Sequence, residues 1–379
     1  YLYAAGREFQ QFQNCFGFVA EDSREGWAEI LRVITLCLGT GGGLGINYSS
    51  LRPKGAQIKR MGGKSSGPLS LMNIVNEAGR HMMMGGIRRS ALLAGLHWTH
   101  EDIHDFISSK DWDEATLERK KKNFEEPANM DMHNISMIVD NNYFQSLTNN
   151  NVVATTLHQS VCDRMLSHGE PGFLNLSRRL QDDPHAMSTN ACGEACLHPY
   201  DACDLGSIVM PQVKNISHLE DVVRTAIQFL YNGLEKTMFP CSEIETVVKK
   251  NRRLGLGIIG LHEFMLKNNH RYEWFDKLDS FFSVWQQVSH DEAKKYAAKL
   301  GLPVPIATNA IAPTGTISVI AMSTSGIEPV FAKSYKRRYI SNGKYFYQKV
   351  IDSTTSRLLQ EGIDEKLIED AYMLAFDLE

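Results

Sequence analysis

The feature that most constrains this chain is a repeated alternation of short apolar runs with helical periodicity. Runs at 15–19, 43–47, 91–96, 135–139, 172–176, 205–209, 256–260 and 307–312 read as strands, closed by Gly, Asn, Ser or Pro. Segments 24–38, 68–84, 100–109, 153–168, 219–237, 242–252 and 280–300 repeat apolar residues at three and four and read as helices. Such alternation implies parallel strands covered by crossover helices. This many units favour a closed α/β barrel over an open sheet, as one domain across residues 1–379. In such barrels chemistry gathers on loops at one end of the strands. No internal repeat, Pro- or Ser-rich linker or low-complexity segment interrupts the pattern.

Composition narrows the function classes. Forty Lys plus Arg against 44 Asp plus Glu give a formal charge of -4, so no basic surplus points to duplex nucleic acid or an anionic membrane. The longest apolar stretches, 254–261 and 317–322, fall far short of a membrane span, and no signal-peptide pattern opens the chain. A soluble, cytoplasmic protein is expected. Its seven cysteines are too few for a disulfide scaffold and contain no CxxC pair. Cys192 and Cys196 with nearby His198 lack the second ligand pair that a tetrahedral zinc site needs, so no metal is expected. Cys37, Cys162 and Cys241 read as buried small apolar side chains.

Three glycine-rich segments could handle phosphate. Residues 39–45 contain a GxGxxG-like pattern, but it precedes a strand instead of linking strand to helix, and a tight turn explains it equally. Residues 313–318, Pro-Thr-Gly-Thr-Ile-Ser, open an apolar helical run with hydroxyls and free N–H groups, an anion cradle without the Lys of a P-loop. Residues 85–90 set Arg88 and Arg89 between a helix and a strand, where they could read phosphate or sit as a solvated helix end.

The most informative segment is Asn190-Ala191-Cys192-Gly193-Glu194, followed by Cys203 within Cys-Asp-Leu-Gly-Ser-Ile. An amide and a carboxylate two residues either side of a cysteine share its face if the loop is extended. That arrangement suits radical or nucleophilic sulfur chemistry on a hydroxylated substrate, with the carboxylate as proton acceptor. On the residues alone, a structural turn explains the segment as well.

Asn-x-Cys-x-Glu, the second cysteine 11 residues on, and upstream Asn14-Cys15-Phe16 resemble the active site of the ribonucleotide reductase catalytic subunit. Residues 41–47 through 51–53, 85–90, 254–260, 312–318 and 325–329 match further family segments in the family's order. The wording of 313–318 and 325–332 is similar to the cobalamin-dependent branch.

The resemblance implies a ten-stranded α/β barrel whose central finger loop carries Cys192. A thiyl radical there would remove the 3′ hydrogen of a ribonucleoside di- or triphosphate, with Glu194 as general base and Asn190 holding the substrate hydroxyls. Cys15 and Cys203 would supply two electrons and end as a disulfide, so that 2′-deoxyribonucleotides form for DNA synthesis. Substrate binding would fall to Asn14, Gly42, Gly43, Pro313, Thr314, Gly315, Thr316 and Ser318. A deoxynucleoside triphosphate effector would bind at Asp22, Ser23, Arg52, Lys59, Arg60 and Arg88. Residues 85–93 would carry its identity to the substrate base, and helix 68–84 would pair two subunits in a homodimer. Adenosylcobalamin is the expected radical source, the alternative being a metal-containing ferritin-like subunit. A thioredoxin-like or small dithiol would restore the cysteines.

Ala191 departs from the Pro or Leu commoner in the family and is tolerable if its side chain points away from Cys192. No segment resembles the ATP-binding cone, so overall activity control by ATP and dATP is not expected. The family's last barrel strands, tyrosine pair and C-terminal cysteine pair are not matched by the sequence, which ends at Glu379. Two other readings stay open. A cysteine-nucleophile acyl or phosphoryl transferase would use His198 or His185 as base but leaves Cys15 and Cys203 unexplained. A non-catalytic nucleotide-binding regulator would use the glycine loops alone.

Overall fold

The computed structural model describes residues 4–58, 62–85, 89–177, 183–330, 332, 334–341 and 344–368. The chain divides into two compact units, Tyr1–Asp204 with Gly233–Arg253, and Leu205–Asn232 with Leu254–Glu379.

In the first unit, strands β1 (Cys15–Val19), β2 (Gly43–Asn47), β3 (Leu92–His97), β4 (His133–Val139) and β5 (Gly172–Asn175) lie side by side in sequence order, each parallel to the next. Two short strands, β6 (Ser188–Thr189) and β7 (Cys196–Leu197), form an antiparallel pair. Strand β8 (Asp201–Val209) joins the free edge of β1 in antiparallel register, with Cys15 opposite Cys203 and Gly17 opposite Asp201.

Helix α1 (Arg24–Gly39) illustrates why the crossovers form. Ser23 caps it by accepting a hydrogen bond from Gly26 N at 2.9 Å, and Glu25 sits in the positive first turn. Its buried stripe, Ile30, Val33, Ile34, Cys37 and Leu38, follows the 3.6-residue period. Burying each large aliphatic side chain contributes about 1.5–3 kcal/mol, against about 1 kcal/mol for a cap. The apolar face therefore decides where the helix sits. Helix α2 (Pro68–His81) starts with Pro at its first position, where the missing N–H costs nothing.

In the second unit, β9 (Leu254–Ile259) runs beside residues 307–310, with Leu254 N bonded to Ala307 O and Leu256 N to Thr308 O, both at 2.9 Å. The strand expected at 307–312 is reduced to one parallel bridge, Leu256 to Asn309. The Asn309 amide bonds to Ser289 Oγ at 3.0 Å and to the Leu256 carbonyl at 3.4 Å, so a side chain competes for a position in the ladder. Helices Leu261–Lys267, Asp276–Leu300, Gly315–Ala321 and Ser353–Gln360, the hairpin Ser334–Ser341 with Lys344–Ile351, and most of helix Ile216–Lys236 also belong to this unit.

Other boundaries differ from the sequence reading. The helix expected at 100–109 contracts to Ile103–Ile107, and α2 stops at His81 instead of 84. Met82 is extended, and Met84 is buried in a backbone bridge, so the methionine run leaves the helix. Helices Glu114–Lys122 and Asn141–Thr148 were not anticipated; the first buries no residue, so it lacks the apolar stripe that periodicity detects. Among the described residues no helix is long and apolar enough to cross a membrane.

Candidate active site

Strand pleating puts Cys15 and Gly17 of β1 on one face and Phe16 and Phe18 on the other. Gly17 and Gly45 are direct partners across β1 and β2, as are Cys15 and Gly43. Together they form a floor almost without side chains, and the segment of β6, β7 and the turn between them lies on it. A Cβ on Gly17 would stand 2.6 Å from Leu197 Cβ, and one on Gly45 would stand 2.7 Å from the Asn190 carbonyl oxygen and closer still to that of Thr189. These two positions take glycine because a backbone approaches there. Gly43 meets the same segment more loosely, its would-be Cβ 3.1 Å from that of Ala191. Gly42 faces the other way, against the Phe16 ring. Asn14 is exposed, and its carbonyl accepts from Gly43 N at 2.9 Å.

The loop between β6 and β7 is a tight turn, not the extended segment that alternation suggested. Gly193 N bonds back to Asn190 O at 3.1 Å, Asn190 N bonds to Ala195 O at 3.2 Å, and Gly193 has φ +81°. Asn190 and Glu194 are therefore brought together by chain reversal, and the Asn190 amide donates to Glu194 Oε2 at 2.6 Å. Asn190 Oδ1 accepts from Ala195 N at 3.0 Å, which fixes the amide's orientation. Cys192 is exposed at the tip, whereas Ala191 is buried and turns down onto Gly43. That orientation explains why a small residue is accommodated at 191.

Cys15 and Cys203, 188 positions apart in sequence, are opposed across β1 and β8. Directly opposed residues in an antiparallel pair have Cα atoms roughly 4.5–5.5 Å apart, within the roughly 4.4–6.8 Å that a disulfide spans. Both are buried thiols. Cys15 Sγ lies 3.9 Å from Glu194 Oε1, which links the pair to the turn. Burial, reinforced by the Glu194 charge, pushes the Cys15 thiol well above its ordinary value, and burial raises Cys203 as well. Burial also raises the Glu194 carboxyl, partly offset by the Asn190 hydrogen bond. The site thus holds protonated thiols beside a carboxylate made more basic by its surroundings.

A polar ring, buried at Asp201, Asn251 and Arg253 and half-buried at Asp183 and His198, pins both ends of this segment to β8. His198 Nε2 donates to Asp183 Oδ1 at 2.6 Å, and Asp183 Oδ2 accepts from Arg253 Nη2 at 2.7 Å. Asp201 Oδ2 accepts from Arg253 Nε and from Asn251 Nδ2, each at 3.0 Å. Asn251 Nδ2 also lies 3.0 Å from His198 Nδ1, which closes the ring. Both nitrogens of His198 are thereby engaged, and the His185 ring rests edge-on against it at 5.6 Å. With Nε2–H donating and Nδ1 accepting, His198 has no lone pair left to activate a thiol, which removes the support for a cysteine nucleophile with His198 as base. The sequence reading gave no individual role to Gly17, Gly45, Asp183, Asp201, Asn251 or Arg253, although Gly45 and Asp201 lie in segments that it singled out. The only sequence signal was the spacing of small residues in Cys15-x-Gly17 and Gly43-x-Gly45.

A family model described as "Ribonucleotide reductase, barrel domain" matches residues 13–156, 137–306 and 279–375. The chain belongs to the ribonucleotide reductase barrel family. The vitamin B12-dependent ribonucleoside-diphosphate reductase of Thermoplasma acidophilum is 30% identical over 90% of this chain and 49% of its own length. That of Mycobacterium tuberculosis is 28% identical over 89% of this chain and 53% of its own. A putative adenosylcobalamin-dependent ribonucleoside-triphosphate reductase of Mycobacterium phage D29 is 24% identical over 85% and 52%. The chain spans about half the length of these curated relatives. Among solved structures, the class Id ribonucleotide reductase alpha subunit of Actinobacillus ureae superposes with a TM-score of 0.71 at 16% identity, over 98% of this chain and 70% of that one, which establishes the fold.

Two further segments carry the remaining expected site residues. In the second unit, Thr314 and Ser318 are buried and spend their hydroxyls internally, Thr314 Oγ1 accepting from Gly326 N at 2.8 Å and Ser318 Oγ meeting Ser325 Oγ at 2.9 Å. Pro313, Gly315 and Thr316 are exposed. The hydroxyls at 314 and 318 thus shape the loop, and the backbone at 315–316 with the Thr316 side chain is what it offers to solvent. In the first unit, Arg52 Nε donates to Asp22 Oδ2 at 2.7 Å, while Ser23 is committed to capping α1. Lys59, Arg60 and Arg88 lie outside the described residues. Arg89 is described: it lies over the Phe124 ring at 4.7 Å and near Glu125 at 3.9 Å.

Proposed function

We propose that this chain carries the catalytic barrel of a ribonucleotide reductase that converts ribonucleoside di- or triphosphates to 2′-deoxyribonucleotides by thiyl-radical chemistry. The observation that carries the reading is the meeting of Cys15 with residues from the distant 190–203 stretch: it opposes Cys203 across the sheet, beside the turn that carries Asn190, Cys192 and Glu194. A thiyl radical at Cys192 takes the 3′ hydrogen of the ribose. Glu194, its carboxylate made more basic by burial, takes the 3′-hydroxyl proton. Asn190, already held by Ala195 and Glu194, orients the substrate hydroxyls. Cys15 and Cys203 stay protonated because they are buried. They can therefore give one proton to the departing 2′-hydroxyl, which leaves as water, then one hydrogen to C2′ and one further electron to the sugar, becoming a disulfide, while Glu194 returns its proton to the 3′ oxygen. Cys192 then returns its hydrogen to C3′. Asn14, Gly42, Gly43 and the 313–318 loop are assigned to substrate, the loop to its phosphates.

The names of the curated relatives favour adenosylcobalamin as radical source over a ferritin-like subunit, and the exposed position of Cys192 fits a group that must reach the sulfur from outside. When bound, that cofactor would supply the one-electron oxidant for the Cys192 thiol. We further assign a deoxynucleoside triphosphate effector to the Asp22–Arg52 corner, with Ser23, Lys59, Arg60 and Arg88 contributing. Residues 85–93 relay its identity to the substrate base, in a homodimer paired through α2.

The test is deoxyribonucleotide formation with a chemical dithiol, run with adenosylcobalamin and separately with a metal-loaded ferritin-like subunit. Turnover with cobalamin alone is expected. Turnover only with the partner subunit would reverse the radical source, and none under either condition, with nucleotide binding intact, would overturn the reductase reading.

A further inference from the structure

Arg253 stands where nothing in the proposed reaction requires a cation. It is buried, with its guanidinium bonded to Asp201 at 3.0 Å and Asp183 at 2.7 Å, and its carbonyl accepts from Asp204 N at 3.3 Å. Main chain at 204 and side chain at 201 thus hold this one residue on both sides of Cys203. Asp201 and Cys203, two apart on β8, share the face that Cys15 meets. The groups acting electrostatically on Cys203 are Arg253, Asp204, Glu194 and Asp201, and of these only Arg253 favours a thiolate. Cys15 has no cation acting on it: Glu194 lies 3.9 Å from its sulfur and, with Cys203 and Cys192, disfavours a thiolate, against a hydrogen bond from Asn190 that favours one. It is also the more accessible of the two, 6% exposed against 1%.

We infer that Arg253 is a positioning residue that makes the Cys15–Cys203 disulfide asymmetric, so that the reducing dithiol attacks Cys15 and Cys203 leaves as the thiolate. The inference rests on the dithiol role proposed above. In the first step a thiolate of the external dithiol bonds to Cys15 Sγ, the S–S bond breaks, and its electron pair goes to Cys203 Sγ, on which the Arg253 charge acts. In the second step the other thiol of the reductant attacks its own sulfur in the mixed disulfide. Cys15 is released and protonated, and the reductant leaves as its disulfide. A leaving thiolate stabilised by charge leaves faster, so the burial that keeps both thiols protonated during turnover need not block re-reduction.

The experiment oxidises the protein with diamide, confirms the Cys15–Cys203 disulfide by mass spectrometry, and follows its reduction by dithiothreitol across pH. Limited treatment with glutathione followed by acid quench and alkylation locates the mixed disulfide. The expected result is glutathione mainly on Cys15. Arg253→Gln should slow reduction about tenfold or more and spread the mixed disulfide over both cysteines, with Arg253→Lys in between. Asp204→Asn removes an opposing charge without touching the ring, so it should speed reduction and carries the test if Arg253→Gln does not fold. Glutathione mainly on Cys203, or equal rates and positions in all folded variants, would overturn the inference while leaving the dithiol intact. A purely structural Arg253 would show the latter pattern together with a lowered melting temperature. Failure to form the disulfide at all would overturn the dithiol reading and this inference with it.

Discussion

The turn carrying Cys192 and the Asp22–Arg52 corner are both polar constellations in the first unit, yet they are built from opposite materials. The turn is positioned mainly by backbone: two facing glycines let it sit on β1 and β2, and a left-handed Gly193 with main-chain bonds from Gly193 and Asn190 closes it. Cys192 stands exposed at its tip, but Glu194 and the neighbouring Cys15 and Cys203 are shielded, and burial governs their protonation. The corner is positioned by side chains, an ion pair about one-third exposed on both partners, where water and salt screen the charge. Function placed on backbone geometry is sensitive to a single methyl group. Function placed on an exposed ion pair tolerates change in the fold and responds mainly in binding.

The sharpest way to break this contrast is at the turn itself. Cys192→Ser should bring deoxyribonucleotide formation below detection while nucleotide binding and the melting temperature stay close to those of the unsubstituted protein, because a hydroxyl does not give an equivalent low-energy radical. Residual turnover well above background would remove Cys192 from its role.

Glu194→Gln tests the carboxylate, and loss of a general base should lower turnover about 10²–10⁴-fold. The same variant tests the effect of burial. Because the folded-state value is raised, the folded protein keeps this proton over a pH range in which the unfolded chain has lost it. The stability it contributes is therefore full below the unfolded value and falls away as pH rises through the folded one. Glu194→Gln should flatten that part of the stability profile, and denaturation midpoints measured across the acidic range would expose an unchanged slope.

Gly45→Ala probes the floor. The added Cβ falls on two backbone oxygens, so relief requires the turn to lift, at about 1–3 kcal/mol as for other overpacked sites. Loss of turnover with a lowered melting temperature is expected, and wild-type values for both would mean that the turn is not held by this contact. The smallest effect on the fold should come from Arg52→Ala, within about 1 kcal/mol. It should nevertheless weaken effector binding and abolish effector-dependent substrate choice. Unchanged effector affinity would move the regulatory site elsewhere.

How much of this was legible beforehand differs by element. Strands β1 and β2 fall on the ranges expected from the sequence, because dense apolar runs bounded by turn residues leave few alternatives. The helix Glu114–Lys122 escaped notice because it buries nothing. Residues 307–312 misled because a side-chain amide there competes with the ladder. At the site, Asn190, Cys192 and Glu194 stood out by type and spacing, but their geometry did not follow: alternation predicts an extended loop, and Gly193 reverses it.

The sequence by itself determined the chemical inventory and the β/α alternation, since these rest on residue type and local periodicity, and the family, since its motifs are short, ordered and specific. The resemblance implied that Cys15 meets Cys203, but only the tertiary structure decided that they do so as opposed residues of β1 and β8, that Gly17 faces Gly45, and that Arg253 closes a ring with Asp183, Asp201, Asn251 and His198. Those contacts join positions far apart in the chain. Pairing register and burial create them, and both emerge only when the strands are laid side by side.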